Sequence, residues 1–156
     1  MDIIRDLLSN RIFLVAAAGW AVAQILKTLI TLALTRSFDP ERLFGSGGMP
    51  SSHSSTVCAL TTAVVMQYGA ASFEFAISAV LAIIVMYDAA GVRRETGTQA
   101  VVLNRFMDMF AHLDSPDDPQ FTQEKLKELV GHTPLQVFAG AVLGIVLAIF
   151  LYPALL

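Results

Sequence analysis

Apolar residues in this chain come in long unbroken runs, not in the short alternating or one-sided patterns of a soluble fold. The run 12–34 has the length, about 20 residues, that crosses a hydrocarbon core, and its one charge is Lys27. It predicts a first transmembrane helix. The run 57–68 is shorter, but the small residues from Ser51 to Thr56 suit a helix start and Gly69 with Ser72 supplies a turn. A second helix over about 55–68 is expected, buried among its neighbours. A third span, 73–92, is apolar except for Glu74 at its start and Asp88 near its end, and the cleanest run, 135–155, makes a fourth. Ahead of them, residues 1–10 place Ile3, Ile4, Leu7 and Leu8 on one face and Asp2, Arg5 and Asp6 on another, the pattern of a short interfacial helix. The expected fold is an all-α integral membrane protein, one domain over 1–156, with about four transmembrane helices in a compact bundle.

The polar residues gather in two loops, 35–54 and 93–134, which a four-span chain places on the same face. Those loops hold Arg36, Arg42, Arg93, Arg94, Arg105, Lys125 and Lys127, against Arg5 and Arg11 on the other face, so the loop face is expected in the cytoplasm, at a bacterial plasma membrane. Within the second loop, 99–112 has a helical apolar face of Val102, Phe106, Met109 and Phe110 and is expected to lie at the interface. Residues 113–120 form a turn, and Thr122 caps a short helix running to Val130. A signal peptide fits poorly, because Asp2 and Asp6 open the chain and no small-x-small cleavage pattern follows the first apolar run.

Composition sharpens this picture. With 55% hydrophobic residues, 15% charged and a mean hydropathy of +0.64, the chain is too apolar for a disordered segment or most soluble domains. A net charge of -3 gives no general attraction to nucleic acid, so none is expected as a partner and any polyanion site must be local. A single cysteine removes disulfide scaffolds and Cys-based zinc modules, and Cys58 reads as a packed small hydrophobe. The histidines lack metal-ligand spacing, and the acids Asp114, Asp117 and Asp118 lack the glycine of a calcium loop, so no metal and no cofactor is expected.

Three clusters carry candidate chemistry. The stretch 45–55, GSGGMPSSHSS, joins a glycine-rich turn to a helix start; Gly47 and Gly48 let backbone N–H groups face an anion, Ser51 and Ser52 add donors, and His53 titrates near neutrality. The alternative is a plain loop with serine caps. The stretch 87–97, YDAAGVRRETG, pairs Arg93 with Arg94, whose guanidinium forks match phosphate oxygens; the alternative is a stop-transfer charge pair that satisfies Asp88. Before the last helix, 131–134 (GHTP) puts Pro134 in the first helical turn and leaves His132 exposed at the helix mouth, either as a reacting group or as an ordinary interfacial histidine. His112 has no such frame and is assigned to the surface. Lys27, with Trp20, Gln24 and Thr31 at helical spacing around it, either snorkels to the interface or belongs to a polar seam facing the bundle, where Arg36 and Arg42 also converge.

In order and spacing, GGMPSSHS, YDAAGVRRETGTQAVVLN and ELVGHTPLQVFAGAVLG resemble the divergent branch of the type 2 phosphatidic acid phosphatase family, related to acid phosphatases and vanadium-dependent haloperoxidases. The resemblance covers about 27–144. It implies that His53, in a Pro-Ser-Ser-His version of the family's Pro-Ser-Gly-His motif, acts as the general acid, and that His132 is the nucleophile. It implies phosphate contacts from Lys27, with Arg36 or Arg42 as the arginine of the family's first motif, and from Arg93 or Arg94. Two positions depart from the pattern. Gln136 stands where the family has an aspartate that orients the nucleophile, which leaves Asp88 and Glu128 as candidates for that role, and Leu126 stands where an arginine is expected. The implied activity is a metal-independent membrane phosphatase or phosphotransferase acting on a lipid or isoprenoid phosphate through a phosphohistidine. The alternative is a non-catalytic phosphate- or headgroup-binding membrane protein, and either one chain or a homodimer completes the bundle.

Overall fold

The computed structural model describes residues 2–36, 48–111, 125–126 and 131–155, with the backbone alone for Arg93, Phe110 and Ala111. The described residues are helical wherever they are regular: α1 (Ile3–Ser9), α2 (Arg11–Thr35), α3 (Ser52–Tyr68), α4 (Phe73–Ala90), α5 (Val92–Ala111) and α6 (Pro134–Ala154). Each long apolar run begins where a short polar side chain caps it. Asn10 accepts from Phe13 N–H, Ser51 from Ser54 N–H and Ser72 from Phe75 N–H, while Thr133 and Gln136 form a reciprocal capping box behind Pro134.

Three stretches are long and apolar enough to cross a membrane: α2, Phe73–Met109 across α4 and α5, and α6. The second of the four expected spans, α3, has 17 residues, or about 25 Å at 1.5 Å per residue, at the short end of the range for a membrane helix. It sits in the centre, packed against α2, α4 and α6. The second loop also differs from expectation. Its helix begins at Val92, directly after Gly91 ends α4, and not at residue 99. The exposed positions Val102, Leu103, Phe106 and Met109 form its apolar side, and Ala100 and Asn104 are buried. The short helix expected after Thr122, and His112, fall outside the described residues.

The core is made of small side chains. One cluster joins Val15, Ala59, Ala63, Ala148 and Tyr152; the other joins Val57, Cys58 and Ala82, with Cys58 Sγ 3.7 Å from Met86 Sδ. Large apolar residues point outward instead, among them Leu29, Ile83, Phe138 and Phe150. This is the distribution of a bundle whose solvent is lipid, where small interfacial residues let backbones approach. A Cβ on Gly140 would run into the Ser51 carbonyl oxygen, and one on Gly144 into that of Ser55; one on Gly19 would lie 2.9 Å from Ala59 Cβ. Glycine is therefore required on both faces that grip α3.

That contact sets the ends of the bundle. The start of α3, the end of α4, the start of α6 and the C-terminal half of α2 meet at one end, and at the other Tyr152 Oη donates to Gln67 Oε1 at 3.0 Å. Gly144→Ala and Gly140→Ala should each lower the thermal midpoint in detergent, because overpacking of a tight contact costs about 1 to 3 kcal/mol. The exposed Val142→Leu should leave it unchanged, as measured by unfolding scans of the three proteins.

Candidate functional site

Lys27 lies on the inner face of α2, and its side chain is fully buried at 0% exposure. Of the two alternatives for this residue, the structure selects the polar seam: Nζ donates to Gln24 Oε1 at 2.6 Å one turn earlier on the same helix. Over the stem of the lysine lies Gly48, whose φ of +84° is a left-handed conformation suited to glycine. A Cβ there would meet Lys27 Cγ at 3.2 Å. The glycine loop thus folds down onto the lysine.

Pro50 leads into Ser51, which caps α3. Ser51 Oγ accepts from Ser54 N–H at 3.3 Å and from the Ser54 hydroxyl at 3.0 Å, so its acceptor capacity serves the helix start. Ser52, 4% exposed, and His53 form the first turn, where backbone N–H groups lack intrahelical partners and carry the positive end of the helix dipole. The Ser51 N–H donates to the Gln136 carbonyl at 3.0 Å, which fastens the His53 turn to the start of α6.

His132 reaches the same place from the other side. Its N–H donates to the Ala89 carbonyl near the end of α4 at 3.0 Å, and its ring centroid lies 5.9 Å from that of His53 in an edge-on arrangement. The expectation of an exposed His132 is corrected: the residue is 1% exposed, because the Ala89 carbonyl pulls the 131–133 segment into the bundle instead of leaving it at the mouth. Nδ1 lies 3.3 Å from Gln136 Oε1, and the buried Nε2 has no hydrogen-bond partner among the described residues. Burial foremost, then the positive charges of Lys27 and His53, push the ring below the ordinary histidine range, against the opposing effect of Gln136 and, more weakly, the Gly48 backbone. The ring is held neutral at physiological pH.

The structure thus gathers Lys27, Gly48, Ser51, Ser52, His53 and His132 at one end of the bundle. Asp88 is half-buried beside Ala89, and Arg94 is exposed near the start of α5. Arg42, Gly47 and Glu128 fall outside the described residues, as does the side chain of Arg93. Two members of the assembly were not assigned to the site from sequence. Gln24 was legible as part of the seam by its spacing from Lys27. Gln136, read as the loss of an acid, is itself the side chain that meets His132. Among the described residues no three His, Cys, Asp or Glu side chains come together as a metal site.

A buried lysine, two facing imidazoles and a glycine turn over a helix start make a buried polar cluster at one end of the bundle. The chain belongs to the divergent PAP2 family, whose sequence profile matches residues 8–147. It is similar to the uncharacterized membrane protein YuiD of Bacillus subtilis (strain 168), 41% identical over 152 residues that cover 94% of this chain and 96% of that one. No solved structure matches. Together with its three apolar spans, this makes the chain an integral membrane protein.

The neutral His132 has a consequence for stability. The unfolded chain takes up a proton on this ring at about pH 6.5, whereas the folded protein resists it. The contribution is constant above that pH and stability falls as pH drops below it. The thermal midpoint should decline between about pH 7.5 and 5.5, and less steeply in His132→Gln; equal slopes would contradict the burial of a neutral ring.

Proposed function

We propose that this protein is a membrane phosphatase or phosphotransferase that acts on a lipid or isoprenoid phosphate through a phosphohistidine on His132. The observation that carries the reading is the facing pair of His53 and the buried, neutral His132 beside a buried lysine. A neutral imidazole nitrogen without a hydrogen bond is a nucleophile whose lone pair is available, and a lysine held in a low-dielectric seam is an attractive partner for phosphoryl oxygens. Membership in the divergent PAP2 family supports the reaction class.

The chemistry divides into two displacements. Nε2 of His132 attacks phosphorus in line, the P–N bond forms as the P–O ester bond breaks, and His53 gives its proton to the departing oxygen. Lys27 and the amides at the start of α3 balance charge on the equatorial oxygens. Water or an acceptor alcohol then attacks phosphorus, the P–N bond breaks, and His53 recovers a proton from the attacking hydroxyl. A site at the end of the bundle suits a substrate with its phosphate at headgroup level and its chain in lipid. The face that carries it is proposed to be cytoplasmic, from the excess of Lys and Arg in the two loops.

A non-catalytic phosphate- or headgroup-binding role is the second reading, favoured by one observation, the amide of Gln136 where a carboxylate would better support the charge developing on the ring. Phosphate release from a panel of lipid and isoprenoid phosphates by the purified protein separates the two. His132→Ala should abolish turnover and acid-labile label together. His53→Ala should slow alkyl phosphates far more than an aryl phosphate, whose leaving oxygen needs little protonation. Release by neither the parent protein nor any variant, with phosphate binding intact, supports the non-catalytic role.

Lys27 gives an independent check. Replacing a buried cation by an apolar residue of similar length is often neutral or stabilising, so Lys27→Met should keep or raise the thermal midpoint. Loss of one charge-assisted contact, about 1.5 to 3 kcal/mol, should weaken phosphate binding tenfold or more. Unchanged affinity in calorimetry would place the anion elsewhere.

A further inference from the structure

Besides the capping bond from its N–H to the Thr133 hydroxyl, Gln136 makes three connections at the junction of α3 and α6. Its backbone carbonyl accepts the Ser51 N–H at 3.0 Å, its side-chain oxygen accepts the Thr133 N–H at 3.1 Å, and that same oxygen lies 3.3 Å from His132 Nδ1. The orientation of an amide is ordinarily an assignment. Here a backbone N–H, which can only donate, faces the side chain, so the atom it meets must be the oxygen. An amide oxygen can only accept, and the ring nitrogen that faces it must therefore carry the hydrogen.

We propose that Gln136 is the positioning residue of the candidate nucleophile: it holds the His132 proton on Nδ1, leaves the lone pair on Nε2, and does so without a charge that would stabilise an imidazolium. This rests on the phosphohistidine reading for its kinetic consequence but not for its structural content. When Nε2 bonds to phosphorus, the ring becomes cationic and keeps its proton on Nδ1, facing a neutral acceptor. The other groups around the ring are Lys27 from α2, His53 from α3, the Ala89 carbonyl with Asp88 beside it on α4, and the Gly48 backbone. Of these, Lys27 and, when protonated, His53 oppose a positive ring, while the Gly48 backbone favours one more weakly. Formation of the P–N bond is then the slow step, and the phosphohistidine is a reactive species with a low steady-state level that trapping still detects. The site favours rapid discharge to water or an acceptor over storage of the phosphoryl group.

The test uses the full chain in micelles with nitrogen-15 in its histidines. The parent should show a pyrrole-type Nδ1 and a pyridine-type Nε2 for His132 at neutral pH. Gln136→Glu keeps the length and the capping acceptor, and places an anion against the ring. It should raise the His132 titration by about 1 to 3 pH units and increase the phosphohistidine trapped from an aryl phosphate several-fold. Gln136→Leu should give a mixed tautomer signal and lower kcat with little change in KM. A hydrogen on Nε2 in the parent, or an unmoved titration in Gln136→Glu, would overturn the inference even if the enzyme turns over. The predicted tautomer and titration in a protein that hydrolyses no phosphate would instead uphold the role of Gln136 and count against the phosphatase reading.

Discussion

The close approach of α3 to α6 is the constraint on which the other features depend. With no side chain at Gly140 or Gly144, the carbonyls of Ser51 and Ser55 lie against the α6 backbone. On the opposite flank, the Ser55 hydroxyl donates to the Gly19 carbonyl of α2 at 2.8 Å. A polar residue at a helix crossing gains from such a bond because lipid supplies no alternative partner. The short helix is therefore fixed between two long ones, and its N-terminus with His53 is fixed relative to the segment that carries His132. Distances between groups on three helices and a loop are set by backbone contact and not by flexible side chains, the rigidity that the proposed reaction would need.

A second consequence concerns charge. Burying an ammonium in a membrane bundle is unfavourable unless polar groups surround it, and Lys27 has Gln24 on its own helix and the Gly48 turn above it. The seam keeps the cation within the site instead of letting it snorkel to water. In turn, Lys27 helps to hold His132 neutral. One buried cation thus places positive charge beside an uncharged ring nitrogen, the arrangement on which the proposed function draws.

Much of the fold was legible in the sequence because membrane helices announce themselves by length and composition. The runs 12–34, 73–92 and 135–155 lie close to α2, α4 and α6, and their caps are the polar residues that precede them. The 55–68 run, expected as a helix buried among its neighbours, is the central α3, at the short end of the range for a span and rich in small residues such as Ser, Ala and Thr. Hydropathy could not tell that α5 begins at once after Gly91. The site was legible as residue types: His53, His132, Lys27 and the glycines stand out as polar groups in apolar surroundings. Their arrangement was not, since the burial of His132 depends on the distant Ala89 carbonyl and the face of Lys27 depends on what packs against α2.

The central claim is that the polar cluster at the end of the bundle is built to bind a phosphoryl group with Nε2 of His132 aimed at phosphorus. A structure of the protein with vanadate tests it most directly, because vanadate accepts a fifth ligand in the geometry of phosphoryl transfer. The account predicts vanadium bonded to His132 Nε2, Lys27 Nζ on an equatorial oxygen and His53 facing the apical oxygen opposite. Vanadate bound away from His132, or held in the cluster with Nε2 turned from the metal, would contradict it.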